Sequence, residues 1–315
     1  MTNGLSSMEG KTLLVGVGRS GCKIVQEIKQ YNTEVDTYYV TTEQKYLPSK
    51  NDFLDWRRLD EDSIRGIFAN ILDGTNQVVV FGGLGGRSGS LLIPRVVSAV
   101  RGLEINCCAI VLLPFEHQSD MEYTAGASLA RIRKKASSLI IIDRQQFVEE
   151  SFDELPLEKV YEGINSKIAN IVASLLKEDS RIFESLMGGE TILEIKDAGE
   201  GFSKAVSSIT RRVVEQIKDD TDNLLVVSSG NRPTTLGGSK YLLNGFRSLV
   251  SQNAKVRYIN AAQQNHESLI AVLAHSQGGI KLRVYDPVDE ILGDKSIDDD
   301  PESGFHIPLM IERID

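Results

Sequence analysis

Short, unbroken apolar runs alternate with helical stretches through the first half of this chain. VVVF at 78–81 and CCAIVLL at 107–113 contain no polar residue that would leave one face to water. A strand of that kind is buried on both faces, which calls for a parallel sheet covered by helices on each side. The pattern predicts a strand at 11–18 and a helix at 22–31 carrying Ile24, Val25 and Ile28 on one stripe. A strand at 35–40, irregular sequence at 44–60 and a helix at 61–73 follow. Next come a strand at 77–81, a glycine-rich turn at 82–90 and a helix at 91–101. A strand at 107–113, a helix at 124–135 and a strand at 139–142 complete a doubly wound α/β unit.

The periodicity then changes. Residues 156–177 place Leu157, Val160, Ile164, Ile168, Ile171, Val172 and Leu175 at helical spacing, in a helix long enough to join two domains. The segment 178–220 reads as mostly helical and polar. Strands are expected at 224–228, 255–261, 269–275 and 280–285, with a helix at 239–252. The division expected is an α/β domain over 11–154, a central helix over 155–178 and a smaller α+β domain with a mixed sheet over 179–285. An acidic, Pro- and Gly-bearing linker follows over 286–315 and ends in FHIPLMIERID, an apolar peptide that reads as a docking peptide or as a strand closing on its own domain. A length of 315 residues accommodates this plan.

Two glycine loops carry the chemistry. Gly16-Val17-Gly18-Arg19-Ser20-Gly21 stands between a strand and a helix, where glycines let the backbone approach a ligand and helix N–H groups face an anion. Taken alone it fits the dinucleotide fingerprint of an NAD-binding Rossmann oxidoreductase, with Asp36 near the expected acid position. The second loop, Gly82-Gly83-Leu84-Gly85-Gly86-Arg87-Ser88-Gly89-Ser90, holds five glycines and two hydroxyls after another strand. A tight turn needs one or two glycines, whereas a backbone nest for phosphates uses more. The oxidoreductase reading leaves this second loop unexplained.

In order and context these segments resemble the tubulin/FtsZ family. GVGRSGCKIV is similar to that family's first phosphate loop, and VVVFGGLGGRSGSLLIP to its GGGTG[ST]G signature with the proline that follows. YYVTTEQKYL resembles the second-strand segment, NCCAIVLLPFE the strand ending in Pro-Phe, and SSLIIIDRQQFV the strand ending in IPND. The resemblance covers about residues 11–280. It implies a GTP-binding domain, a central helix and a second α+β domain, with GTP or GDP and magnesium as ligands. It also implies head-to-tail filaments formed with itself or a related filament protein.

Carried over residue by residue, the resemblance gives Gly16, Gly18, Arg19, Ser20, Gly21 and Cys22 to the α- and β-phosphates. Gly85, Gly86, Arg87, Ser88, Gly89 and Ser90 fall around the β-phosphate and magnesium, and Thr42 with Glu43 matches a Thr-Asp pair beside them. Tyr161 matches the aromatic stacked on guanine, and Asn165 with Ser166 the pair that reads its edge. Of the acids offered to a neighbouring subunit for hydrolysis, Asp179 is retained and a second falls on Ile182, so slow or absent turnover is expected. The γ-phosphate loop has no counterpart in 44–60, and the ribose-gripping Glu and Arg fall on Gln118 and Glu122. These departures keep open a hydrolysis-dead scaffold or regulator that co-assembles with another filament protein. The tail is similar to the family's docking peptide, with Phe305, Ile307, Pro308, Leu309 and Ile311 as anchors for a membrane-anchoring adaptor. That implies a cytoplasmic protein working at a division site or the inner membrane face, in cell division or shape control.

Composition narrows the rest. The net charge is −9, so nucleic acid is not an expected partner, and the basic run at 131–135 reads as a solvated helix face. No run approaches the roughly 18 apolar residues of a membrane span. The three cysteines have no zinc or disulfide spacing, and the four histidines form no triad or metal set. Trp56 reads as an interface residue or a partly buried one.

Overall fold

The strand that opens the chain, β1 (Lys11–Val17), pairs in parallel with β2 (Asp36–Val40) on one side and β3 (Thr75–Gly83) on the other. β4 (Asn106–Leu113) and β5 (Ser138–Asp143) extend the parallel ladder, giving the order β2-β1-β3-β4-β5. The computed structural model describes residues 11–285 except 33, 44, 46–55, 57–58, 149–154, 179–182, 184–185, 187, 199–201, 218–220, 231–235, 248–253, 263–267, 281 and 283–284.

Successive residues of each strand enter opposite cores, as the pleat requires. Leu14, Val79, Phe81, Ile110 and Ile140 pack toward α1 (Gly18–Tyr31) and α5 (Leu157–Glu178). Leu13, Val15, Val78, Val80, Ala109 and Ile141 pack toward α2 (Glu61–Ile71), α3 (Arg87–Arg101) and α4 (Glu122–Lys135). Cys108 and Cys107 are core residues on these two faces. Trp56 is buried, with Tyr38 and Phe68 rings about it at centroid distances of 6.3 Å each.

β6 (Glu190–Asp197) continues the sheet beside β5 in parallel, through the pairs Leu139↔Glu190 to Ile141↔Ile192. Beyond it the sheet is mixed: β9 (Leu269–Ser276) runs antiparallel to both β6 and β7 (Asn223–Gly230), and β8 (Lys255–Ala262) is parallel to β7. α6 (Phe202–Ile217) and α7 (Leu236–Arg247) cover one face of this part through Ile209, Val213 and Phe246. α5 serves the other face of both parts: Ile164, Ile168, Ile171, Val172 and Leu175 share a core with Phe81 and Ile110 and with Leu225 and Leu273. Asn170 and Ser174 of α5 hydrogen-bond to Ser229 of β7, at 2.8 and 3.2 Å.

Some expectations change. Residues 190–197 form a strand and not part of a helical segment, because Ile192, Leu193 and Ile195 fill the two cores while Thr191 and Glu194 are buried without interrupting the ladder. Ile280, Leu282 and Tyr285, expected in a strand at 280–285, stand outside any strand; Ile280 is tied down by Glu190 and Arg133 through its backbone. α3 starts at Arg87, four residues before the expected Leu91, so the second half of the glycine loop is the first turn of a helix.

Candidate nucleotide site

β1 and β3 are neighbours, yet their following helices α1 and α3 pack on opposite faces of the sheet. A crevice opens at that switch point, outside the carboxyl ends of the strands, where ligands bind in doubly wound sheets. It forms a cleft of about 390 Å³. The chain keeps both helix starts bare: α1 follows Val17 and α3 follows Gly86, and neither has a side-chain cap. The first N–H groups of a helix lack partners inside it, so two positive helix ends converge here.

Glycines make this convergence possible. Gly18 has φ of +67°, and a Cβ on it would meet the Ser88 Cβ at 3.3 Å, so the two loops touch. A Cβ on Gly21 would lie 2.0 Å from the Phe81 carbonyl oxygen, which sets how closely α1 seats on β3. The far loop is held internally: the Gly85 N–H donates to Ser90 Oγ at 2.8 Å, and Thr42 Oγ1 lies 2.6 Å from Ser88 Oγ. Pro94 sits inside α3 and has no N–H to give the Ser90 carbonyl four residues earlier. Ser128 Oγ of α4 lies 3.1 Å from that carbonyl and shares its proton with the Thr124 carbonyl at 2.7 Å.

Of the residues singled out from sequence, Gly18, Arg19, Ser20, Glu43, Gly86, Arg87, Ser88, Gly89, Tyr161 and Asn165 line the cleft. Gly16, Gly21, Thr42, Gly85 and Ser90 shape it from behind. Cys22 is buried with its Sγ donating to the Gly16 carbonyl at 3.3 Å, and burial pushes its thiol up to about 12. Ser166 faces α1, where its Oγ is 3.3 Å from the Tyr31 hydroxyl, and it does not line the cleft. Asp179, Ile182 and the tail residues Phe305, Ile307, Pro308, Leu309 and Ile311 lie outside the described residues.

Other cleft residues carry no signal in the glycine motifs. Lys23 lies one helical turn into α1, Gln118 donates from Nε2 to the Tyr161 hydroxyl at 3.2 Å, and Arg144 reaches in from the turn after β5. With Arg19 and Arg87 this makes four cationic side chains against one carboxylate, Glu43, in a protein of net charge −9. Glu43 is itself paired with Lys45 at 2.7 Å, and Arg19 and Lys23 face Glu158 and Glu162 of α5 at 3.1 and 3.8 Å. Concentrated positive charge and two bare helix ends suit a polyanion.

No family model matches the chain. Among curated proteins, the tubulin-like protein CetZ2 of Haloferax volcanii is 24 % identical over 263 residues, which is 73 % of this chain and 71 % of that one. Cell division protein FtsZ 2 of Halobacterium salinarum is 20 % identical over 319 residues, covering 91 % and 81 %. In three dimensions the chain resembles the FtsZ dimer of M. jannaschii, with a TM-score of 0.69 at 18 % identity over 88 % of this chain and 93 % of that one. The GTPgS-bound protofilament form of Haloferax volcanii CetZ2 gives 0.66 at 20 % identity, over 90 % and 98 %.

The chain has the tubulin/FtsZ fold and is similar in sequence to tubulin-like and FtsZ proteins. Among the described residues no helix is long and apolar enough to cross a membrane.

Proposed function

We propose that the chain binds guanine nucleotide in this cleft and assembles head to tail into filaments, with weak or absent hydrolysis. The observation that carries the reading is the pair of bare helix N-termini, α1 and α3, meeting over glycines in a cationic cleft. The phosphates rest on the N–H groups of 18–20 and 86–89, and magnesium enters with them beside the Thr42 and Ser88 hydroxyls. Tyr161 offers a face to the base and Asn165 its amide. Residues 11–154 form the nucleotide half and 179–285 the part that meets the next subunit. Head-to-tail contacts of this type propagate without closing. The relatives found are a tubulin-like protein and cell division proteins, and one solved neighbour is a GTPgS-bound protofilament, which supports a role in division or cell shape. A tail adaptor at the membrane belongs to the same reading. The weakened acids favour a second version, a hydrolysis-dead partner that co-assembles with another filament protein.

Gly86→Asp tests the cradle. A Cβ there meets nothing within 4 Å, and the residue already has N-cap geometry. The new carboxylate caps the bare N–H groups, so the fold gains roughly a few tenths of a kcal/mol while phosphate is shut out. The expected result is a raised melting temperature with GTP and GDP affinity reduced at least tenfold in calorimetric titration. Unchanged affinity in a folded variant, or wild-type protein that prefers NAD, would overturn the reading.

A further inference from the structure

Arg144 is the first residue of the short 3-10 turn Arg144–Phe147 that follows β5. The neighbouring carboxylate, Asp143, is folded into the same turn, where it accepts the Gln145 N–H at 2.8 Å. The guanidinium therefore goes elsewhere. Its carbon lies 5.6 Å from the Tyr161 ring centroid and 5.9 Å from that of Phe115, and Nη2 donates to Ser20 Oγ at 3.2 Å. Gly83 makes room for it: a Cβ there would stand 2.4 Å from Nη2.

The side chain is 6 % exposed, and among the described residues it has no carboxylate partner. A guanidinium carries five N–H donors, and one hydroxyl occupies one of them. Burying a cation without an anion is costly, and ring faces return only part of that cost. The remaining donors border the cleft, between Tyr161 and the first turn of α1. Arg19, Lys23 and Arg87 differ: the first two face carboxylates of α5, and Arg87 is exposed at the mouth.

We infer that Arg144 grips the ribose-proximal phosphate of the nucleotide, a fixed cation between the base platform at Tyr161 and the glycine cradle. This rests on the nucleotide reading above and adds a residue to it. Gln118 and Glu122 occupy the positions where the resemblance expects ribose-gripping Glu and Arg; the guanidinium instead enters from the neighbouring segment, after β5. Planar, charge-assisted hydrogen bonds to phosphate explain why arginine stands there.

The test compares wild type with Arg144→Met and Arg144→Lys across GDP, GMP and guanosine by calorimetric titration, with melting curves as a fold control. Arg144→Met retains bulk over the two rings and removes the charge. The expected outcome is a loss of about 10- to 100-fold for GDP and GMP, the worth of one or two charge-assisted bonds, with guanosine affinity unchanged. Arg144→Lys loses less, and both variants show a shallower salt dependence for GDP. Equal losses for guanosine and GDP would reduce Arg144 to a support for Tyr161 and overturn the assignment, as would wild-type GDP affinity in a folded Arg144→Met. Wild-type protein that binds no guanine ligand overturns the nucleotide reading itself. If Arg144→Met does not fold, the same comparison of GDP with guanosine in Arg144→Lys decides by the same criterion.

Discussion

Glu194 sits at the middle of β6 with no exposed surface, and the nearest cation, Arg212 on α6, is 3.8 Å away, beyond hydrogen-bond reach. Burial raises its carboxyl to about 7, against the pull of Arg212 and with a further push from Asp143. An acid whose folded pKa lies above its unfolded value near 4.5 favours the fold most fully below that value. That contribution is lost as pH climbs through the folded pKa. Urea unfolding of the wild type should therefore weaken between pH 5 and pH 8. Glu194→Gln should flatten this dependence and exceed wild type at pH 8 by on the order of 2 kcal/mol. A variant with the same pH profile as wild type would show that Glu194 does not titrate in this window.

At the scale of elements, glycine has opposite meanings in two helices on opposite faces of the sheet. Gly21 in α1 is where the helix touches the β3 backbone, and Gly66 in α2 is exposed with open space around its Cβ position. Gly66→Ala should stabilise the protein by roughly 0.5–1 kcal/mol through helix propensity. Gly21→Ala should destabilise it by about 2 kcal/mol or more, because the added carbon displaces backbone from backbone. Thermal melts of the two variants check the contrast, and similar shifts in both would contradict the close packing of α1 on β3. The parallel strands and their helices were legible in the sequence, since solid apolar runs and 3.6-residue stripes have few other readings. β6 was not, because Thr191 and Glu194 interrupt its apolar pattern and their burial is decided by strands far along the chain. The start of α3 was hidden for another reason: glycine and serine have poor helix propensity, and a first turn tolerates them. Arg144 could not be singled out from its neighbours, because its setting depends on Phe115, Tyr161 and Gly83, each from a different element.

At the scale of the whole molecule, the proposed filament makes a direct prediction. Purified protein with GTP and magnesium should pellet at high speed, and Gly86→Asp should remain in the supernatant under the same conditions. Pelleting that is indifferent to nucleotide and to Gly86→Asp would favour a scaffold that assembles without a ligand.

The sheet has two edges. Among the described residues, β2 and β8 each pair on one side only. An unpaired strand invites a second chain to continue its ladder, and a protein at high local concentration meets that invitation often. β2 is a five-residue strand, and its first residue, Asp36, is engaged by Lys11 at 2.8 Å. β8 exposes Lys255 and Arg257 near its start, so two β8 edges that pair antiparallel through this stretch bring cation against cation. Order in one direction depends on refusal in another: by discouraging sideways fusion, such edges would keep the proposed head-to-tail filament from thickening through its sheets.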